Sequence, residues 1–190
     1  MKKWLMVIAT LMLAACSSSD SNSGKVYYQL PANAQPASQV VSQAGSHLLW
    51  IDQIVLADYL AANGVVYQTS DVQYVIATNN LWASPLDQQL RNSLINNLSQ
   101  AMPGWIVASQ PLASEQSSLT VNITGFHGRY DGKVIVSGEW LLKQNNEIIN
   151  RPFRIELNQQ DDGYDAMVKT LAQAWQQEAK SMASELLRRQ

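Results

Sequence analysis

The chain has 190 residues, of which 46% are hydrophobic and 15% are charged, and its formal net charge is -2. Apolar residues are plentiful enough to bury a core, which excludes a chain that is disordered as a whole. With 13 basic and 15 acidic residues, and no basic run longer than Arg188-Arg189, the sequence lacks the positive patch of a nucleic-acid-binding protein.

Residues 1–15 have the pattern of a secretory signal peptide. Met1-Lys2-Lys3 is basic, and the apolar run from Trp4 to Leu13 is shorter than the roughly 20 residues that span a bilayer. Leu13-Ala14-Ala15-Cys16 resembles the bacterial lipobox, so we predict cleavage after Ala15 and attachment of lipid to the thiol of Cys16. A buried free thiol is the alternative. Cys16 is the only cysteine in the chain.

The residues after Cys16 predict where the protein is anchored. Ser17 stands where enterobacterial lipoproteins retained in the inner membrane have Asp, so the resemblance implies the inner leaflet of the outer membrane. Similar lipoproteins carry three acyl chains, which give a stable anchor. The polar tract from Ser17 to Gly24 predicts a flexible tether. Residues 16–24 therefore form a lipidated tether, and residues 25–190 form a single periplasmic domain.

The first half of this domain predicts short strands and one helix. Strands are expected at Val26–Leu30, His47–Leu56, Val65–Tyr67, Val72–Ile76 and Trp105–Ala108, with a long loop from Pro31 to Ser46. Leu86, Leu90, Leu94 and Leu98 recur at helical spacing. Ser84 is the expected N-cap, Pro85 the first helical residue, and Pro103-Gly104 the stop.

The second half predicts a meander and a long helix. Apolar residues alternate in three runs, Leu119–Gly125, Val134–Leu142 and Ile149–Leu157, which are separated by the turn signals Asp131-Gly132 and Asn145-Asn146. From Tyr164 to Leu187 the spacing is again helical. The predicted fold class is α+β, an antiparallel sheet of hairpins and a meander packed against two main helices.

The polar residues give little sign of catalysis or of a metal site. His127-Gly128-Arg129-Tyr130-Asp131 is best explained as part of a hairpin turn, and Asp161-Asp162 as acidic residues capping the last helix. The spacings of zinc ligands, nucleophile elbows and phosphate loops are absent from the sequence. We therefore predict no enzyme, no metal and no cofactor beyond the covalent lipid on Cys16.

Trp82 has two interpretations. It precedes the first predicted helix and could be an exposed aromatic anchor at an interface. A place in the core is the favoured interpretation.

Several segments together resemble one known family. They are Tyr27-Tyr28-Gln29-Leu30, Asp58-Tyr59-Leu60, Gly64 to Tyr67, the stretch from Asn80 to Leu86 containing Trp82 and Pro85, a strand ending at Phe126, and the closing helix from Tyr164 to Leu187. In this order, and after a lipobox, they are similar to the ABC-type transport auxiliary lipoproteins. The resemblance marks Tyr27, Tyr28, Trp82, Pro85, Leu86 and Phe126 as motif residues and interaction candidates.

The family resemblance implies a function. Such a lipoprotein would be an outer-membrane partner of an MCE-type transport system, in which an MCE-domain tube protein carries lipids across the periplasm. A tube with a rotational axis suggests a homo-oligomeric ring of the docking protein. The alternative function is a periplasmic lipid-binding chaperone, and a hydrolase that uses His127 is the least favoured.

Overall fold

The computed structural model describes residues 24–31, 47–114 and 116–189. Ala15, Cys16, Ser17 and most of the loop predicted between Pro31 and Ser46 lie outside these ranges. In the described ranges the strands are β1 (Val26–Tyr28), β2 (His47–Leu56), β3 (Gly64–Ser70), β4 (Gln73–Trp82), β5 (Trp105–Ala108), β6 (Ser117–Arg129), β7 (Lys133–Gln144) and β8 (Glu147–Asn158). The helices are α1 (Leu86–Ala101) and α2 (Tyr164–Leu187), and a short 3-10 turn spans Asp58–Leu60.

The described strands form one mixed sheet built around β6. β7 lies antiparallel along one edge of β6, and β8 lies antiparallel to β7, which gives the predicted meander. The other edge of β6 is shared: β2 runs parallel to its first half and β3 parallel to its end. β2 also pairs with β5, and β4 joins β3 to β1. The predicted α+β class is confirmed, with parallel pairings added to the antiparallel ones.

A β-bulge in β6 corrects one sequence expectation. The alternation of Leu119, Val121 and Ile123 predicts that Gly125 faces the core. The register shifts between Ile123 and Gly125, so Phe126 is buried in the core instead. A Cβ on Gly125 would point at the hydroxyl of Ser137 rather than into the core. One extra residue in a strand exchanges its two faces, and the alternation pattern does not reveal it.

The two helix starts also differ from expectation. Pro85, not Ser84, is the N-cap of α1, so the helix begins one residue later than predicted, and Pro85 has extended backbone angles and no side-chain cap. The expected capping by Asp161-Asp162 is wrong, because Gly163 is the N-cap of α2 at a φ of 97°. A positive φ suits glycine, which has no Cβ to clash with the neighbouring carbonyl.

One core joins the sheet to both helices. α1 packs over β2 and β5, and α2 packs over β6, β7 and β8. The two helices also contact each other, and the indole N–H of Trp175 donates to the carbonyl of Leu90 over 3.2 Å. Leu90, Leu94 and Leu98 from α1 are fully buried together with Leu171 and Trp175 from α2. The helical periodicity in the sequence therefore marks the correct faces.

Candidate functional site

The segments that resemble the family motif meet at one junction. β1 lies parallel to β4, with Tyr27 opposite Leu81 and Tyr28 opposite Trp82. The amide of Ala83 donates to the carbonyl of Tyr28 over 2.8 Å. Residues Val26–Tyr28 are thus held as an edge strand beside the residues that lead into α1.

A buried glutamine stabilises this junction. The side-chain oxygen of Gln89 accepts a hydrogen bond of 2.8 Å from the amide of Leu30, and its NH₂ group donates to the carbonyl of Ser84 over 2.8 Å. Sequence reasoning missed Gln89. Its position three residues after Leu86 puts it on the buried face of α1, and a polar residue there requires partners.

The motif residues divide into interior and surface groups. Trp82, Leu86 and Phe126 are buried, and the rings of Trp82 and Phe126 lie 6.0 Å apart between centroids. These three side chains stabilise the junction from inside, which settles Trp82 as a core residue. Tyr27 is 59% exposed and Pro85 is also exposed.

Tyr28 lies between the two groups. It is half-buried, and its hydroxyl donates to the side-chain oxygen of Asn80 over 3.3 Å. Its ring lies 6.3 Å from that of Tyr164 at the start of α2. Burial, together with a hydrogen bond to Asp165, raises the pKa of the Tyr28 hydroxyl. Of the motif residues, Tyr27 and Pro85 are therefore the best placed to contact a partner.

The polar cluster after Phe126 lies where the β3–β4 and β6–β7 hairpins end. Arg129 forms paired hydrogen bonds of 2.8 Å with Asp131, and it also bonds Glu156 on β8. The Arg129 guanidinium lowers the pKa of Asp131 to about 2. The hydroxyl of Tyr130 donates to Asp71 over 2.6 Å. These contacts join the two hairpins and match the structural interpretation of the cluster.

His127 lies in β6, before the turn, and is 3% exposed. Its Nδ1 is 3.0 Å from the carbonyl oxygen of Gly128, and its ring meets that of Tyr74 edge-on at 5.1 Å. Burial lowers the pKa of His127 below its ordinary value, so the imidazole is neutral at pH 7. A neutral, packed histidine with these neighbours is part of the framework of the sheet.

A cavity of about 460 Å³ opens beside this cluster. Polar and charged side chains line it, among them Gln68, Arg129, Tyr130 and Arg154. The two arginines already pair with Asp131 or Glu156. Acyl chains bind in pockets with mostly apolar walls, so this cavity does not suit a lipid tail.

Among residues 24–31, 47–114 and 116–189, the helices are too short or too polar to cross a bilayer. In the same part of the chain, the His, Asp and Glu side chains form no group of three that could hold a metal ion.

Known proteins resemble this chain over nearly all of its length. The chain is 62% identical over 188 residues to the protein named intermembrane transport lipoprotein PqiC in Escherichia coli (strain K12), with 99% of both chains covered, and it has the same identity to PqiC of Shigella flexneri.

Two crystal structures have the same fold. One, of a protein described as uncharacterized, is 61% identical to this chain with a TM-score of 0.77, and the match covers 86% of this chain and 99% of that one. The other, of a protein from Xanthomonas campestris, has a TM-score of 0.68 at 15% identity and covers 83% of this chain and 92% of its own.

The family assignment rests on residues 28–183, which include Tyr28, the Asn80–Leu86 segment, Phe126 and most of α2. This range matches the family described as the ABC-type transport auxiliary lipoprotein component. The chain belongs to the ABC-type transport auxiliary lipoprotein family.

Proposed function

We propose that this protein is an intermembrane transport lipoprotein that is anchored by lipid on Cys16 in the inner leaflet of the outer membrane. There it docks the periplasmic end of a PqiB-like MCE-domain tube protein. The observation that carries the proposal is the 62% identity to the lipoprotein named PqiC over 99% of both chains. At this identity nearly the whole chain aligns with a protein named for transport between membranes.

The junction of β1 with β4 supports a docking role. The edge strand β1 presents the exposed ring of Tyr27, and exposed Pro85 follows β4 at the start of α1. Aromatic side chains on a rigid edge are common anchors at protein interfaces. We assign the surface around Tyr27 and Pro85 to the contact with the tube protein.

The alternative of a lipid-binding chaperone receives less support. The cavity beside Arg129 has polar walls and charges that are already paired. Native mass spectrometry of the purified protein separates the two functions, because a chaperone would retain non-covalent lipid and a docking protein would not.

Crosslinking in whole envelopes tests the docking function. A photo-reactive residue at Tyr27 is expected to form an adduct with the MCE-domain protein, and the same residue at exposed Leu112 serves as the control. Adducts that do not depend on position, or none from any exposed position, would contradict the proposal.

Fractionation tests the anchor. The wild-type protein is expected in the outer membrane, and Cys16→Ser, which cannot form the thioether, is expected to be lost from it. Equal recovery of both proteins in the outer membrane would refute lipid anchoring at this residue.

The proposal includes a closed ring of identical subunits, because a ring matches a tube that has a rotational axis. Light scattering of the detergent-solubilised protein is expected to give a mass of several subunits. A strict monomer at all concentrations would remove the ring from the proposal.

A further inference from the structure

Several exposed apolar side chains lie close together at the turn between β3 and β4. We define the hairpin tip as residues Asp71–Ile76. Within it Val72 is 85% exposed and Val75 is 51% exposed, and Tyr74 and Ile76 are also exposed. Scattered apolar residues on a surface need no explanation, but a contiguous group at the end of a hairpin marks a contact surface.

The apolar side chains of the hairpin tip lie on both faces of the sheet and at the turn. Tyr74 and Ile76 point to one face of β4 and Val75 points to the other, because side chains alternate along a strand. Val72 lies at the turn itself, between Ser70 and Gln73. A partner that covers one face of the sheet would leave half of this group in water. An environment into which the end of the hairpin inserts would cover all four apolar side chains.

The direction of β1 relates the hairpin tip to the lipid anchor. β1 runs parallel to β4, with Val26 opposite Asn80, so the chain enters the sheet from the side of the hairpin tip. The seven residue-to-residue steps from Asn80 back to Gln73 span roughly 23 Å. The ten residue-to-residue steps from Cys16 to Val26 can span up to about 33 Å, so a lipid on Cys16 can reach the level of the hairpin tip.

The charges around the hairpin tip are balanced and paired. Tyr130 donates to Asp71, Arg129 pairs with Asp131, and Arg154 pairs with Glu156. Lys133 lies 3.9 Å from both Asp131 and Glu156, which makes three basic residues for three acidic ones. A balanced surface gains little from anionic lipid and is not repelled by zwitterionic headgroups. Tyr74 adds an amphipathic ring of the kind enriched at membrane interfaces.

We propose that the hairpin tip is a membrane-contact surface, whose apolar side chains enter the headgroup region of the zwitterionic bilayer that holds the lipid on Cys16. This inference rests on the proposed function, which supplies the anchor. The contact orients the domain, so that the β3–β4 and β6–β7 turns face the lipid surface.

Site-specific fluorescence tests this orientation in the full-length lipoprotein reconstituted into phosphatidylethanolamine–phosphatidylcholine vesicles. Val72→Cys introduces a thiol for an environment-sensitive dye, since the proposed thioether leaves Cys16 unreactive. Ile148→Cys is the matched control. Ile148 is 66% exposed and lies beside the β7–β8 turn, at the end of the sheet away from the hairpin tip. Brominated lipids are expected to quench the dye at residue 72 by about twofold and to leave the dye at residue 148 unchanged.

A second pair of labels distinguishes end-on contact from a flat one. Dyes on Val75→Cys and Ile76→Cys report opposite faces of β4, and both are expected to be quenched. Quenching on one face only, or equal signals at residues 72 and 148, would overturn the proposal. If the thiol at residue 72 is protected from labelling in native envelopes but not in vesicles, the proposal is also overturned. That result would assign the hairpin tip to a protein partner.

Flotation of the same samples separates this inference from the proposed function. Protein that floats with vesicles but shows no quenching contradicts the membrane-contact surface alone. Protein that does not float contradicts the lipid anchor, and the orientation inferred from it fails with it.

Discussion

Glu178 is a carboxylic acid buried between the sheet and α2. Its Oε1 accepts a hydrogen bond of 3.0 Å from the indole N–H of Trp140, and the residue is 5% exposed. Burial raises the pKa of Glu178 from 4.5 to about 7. In the unfolded chain the group ionises near its ordinary pKa, so between these two values the folded state holds a proton that the unfolded state has released.

This difference predicts how stability depends on pH. The contribution of Glu178 to the free energy of unfolding is largest below about pH 4.5. It declines as the pH rises toward 7 and is constant above pH 7. Glu178→Gln keeps an oxygen for Trp140 and removes the ionisation. Relative to the variant, the free energy of unfolding of the wild-type protein is expected to fall by about 1 kcal/mol between about pH 5 and pH 8, allowing for partial solvation of the carboxylate. Urea unfolding at both pH values measures the loss, and an unchanged difference between the proteins would contradict it.

Gly138 is a second residue with a sharp constraint. It pairs with Ile123 beside the β-bulge, and a Cβ at Gly138 would overlap the carbonyl oxygen of Asn122. Backbone atoms in the middle of a sheet cannot move aside, so we expect Gly138→Ala to destabilise the protein by about 3 kcal/mol. Gly24→Ala, where a Cβ meets no atom within 4 Å, is the control for thermal unfolding. Equal melting temperatures for the two variants would show that the bulge tolerates a side chain.

At the scale of elements, the attachment of β1 depends on Gln89. Gln89→Leu removes the acceptor for the amide of Leu30 and the donor to the carbonyl of Ser84, and both groups lose their partner. The expected cost is about 2 kcal/mol, with faster hydrogen exchange at Leu30 and in β1. Gln88→Leu is the matched control, because Gln88 is the exposed neighbour. Similar exchange in the two variants would mean that β1 is held by its pairing with β4 alone.

The sequence predicts those elements whose partners are adjacent in the chain. β6, β7 and β8 alternate in polarity, and glycine or asparagine with positive φ stands at both turns, at Gly132, Asn145 and Asn146. The parallel pairings of β2 with β5 and β6 could not be predicted. They join residues more than 50 positions apart, and no local pattern specifies which distant strand lies beside another.

The functional residues were predictable to a different degree. The lipobox and the order of the motif segments identify the family without the structure. The roles within the motif required the fold, since burial assigns Trp82, Leu86 and Phe126 to the interior and leaves Tyr27 on the surface. The sequence predicts the strands Val65–Tyr67 and Val72–Ile76, but the hairpin tip is exposed on both faces because no other described element covers it, and sequence alternation does not report this.

At the scale of the whole molecule, one core predicts one unfolding transition. Side chains from the sheet and both helices belong to a single cluster, so the layers should unfold together. Leu94→Ala in α1 is expected to destabilise the whole domain by about 3 kcal/mol, with coincident transitions by far-ultraviolet circular dichroism and tryptophan fluorescence. Leu112→Ala, at a side chain that is 57% exposed, is the control. Separate transitions for helix and sheet would show that the layers are independent.

The place of β2 in the sheet has a consequence for biogenesis. β2 lies between β5 and β6, and each paired residue of β2 has its partners more than 50 positions later in the chain. If the chain is secreted as proposed, the centre of the sheet stays open until Arg129 at the end of β6 has left the translocation channel. Pairing at such separation is slow, on the order of milliseconds to seconds. With the lipidation proposed at Cys16, this delay would give lipid-modifying enzymes at the membrane access to the amino terminus before the sheet closes.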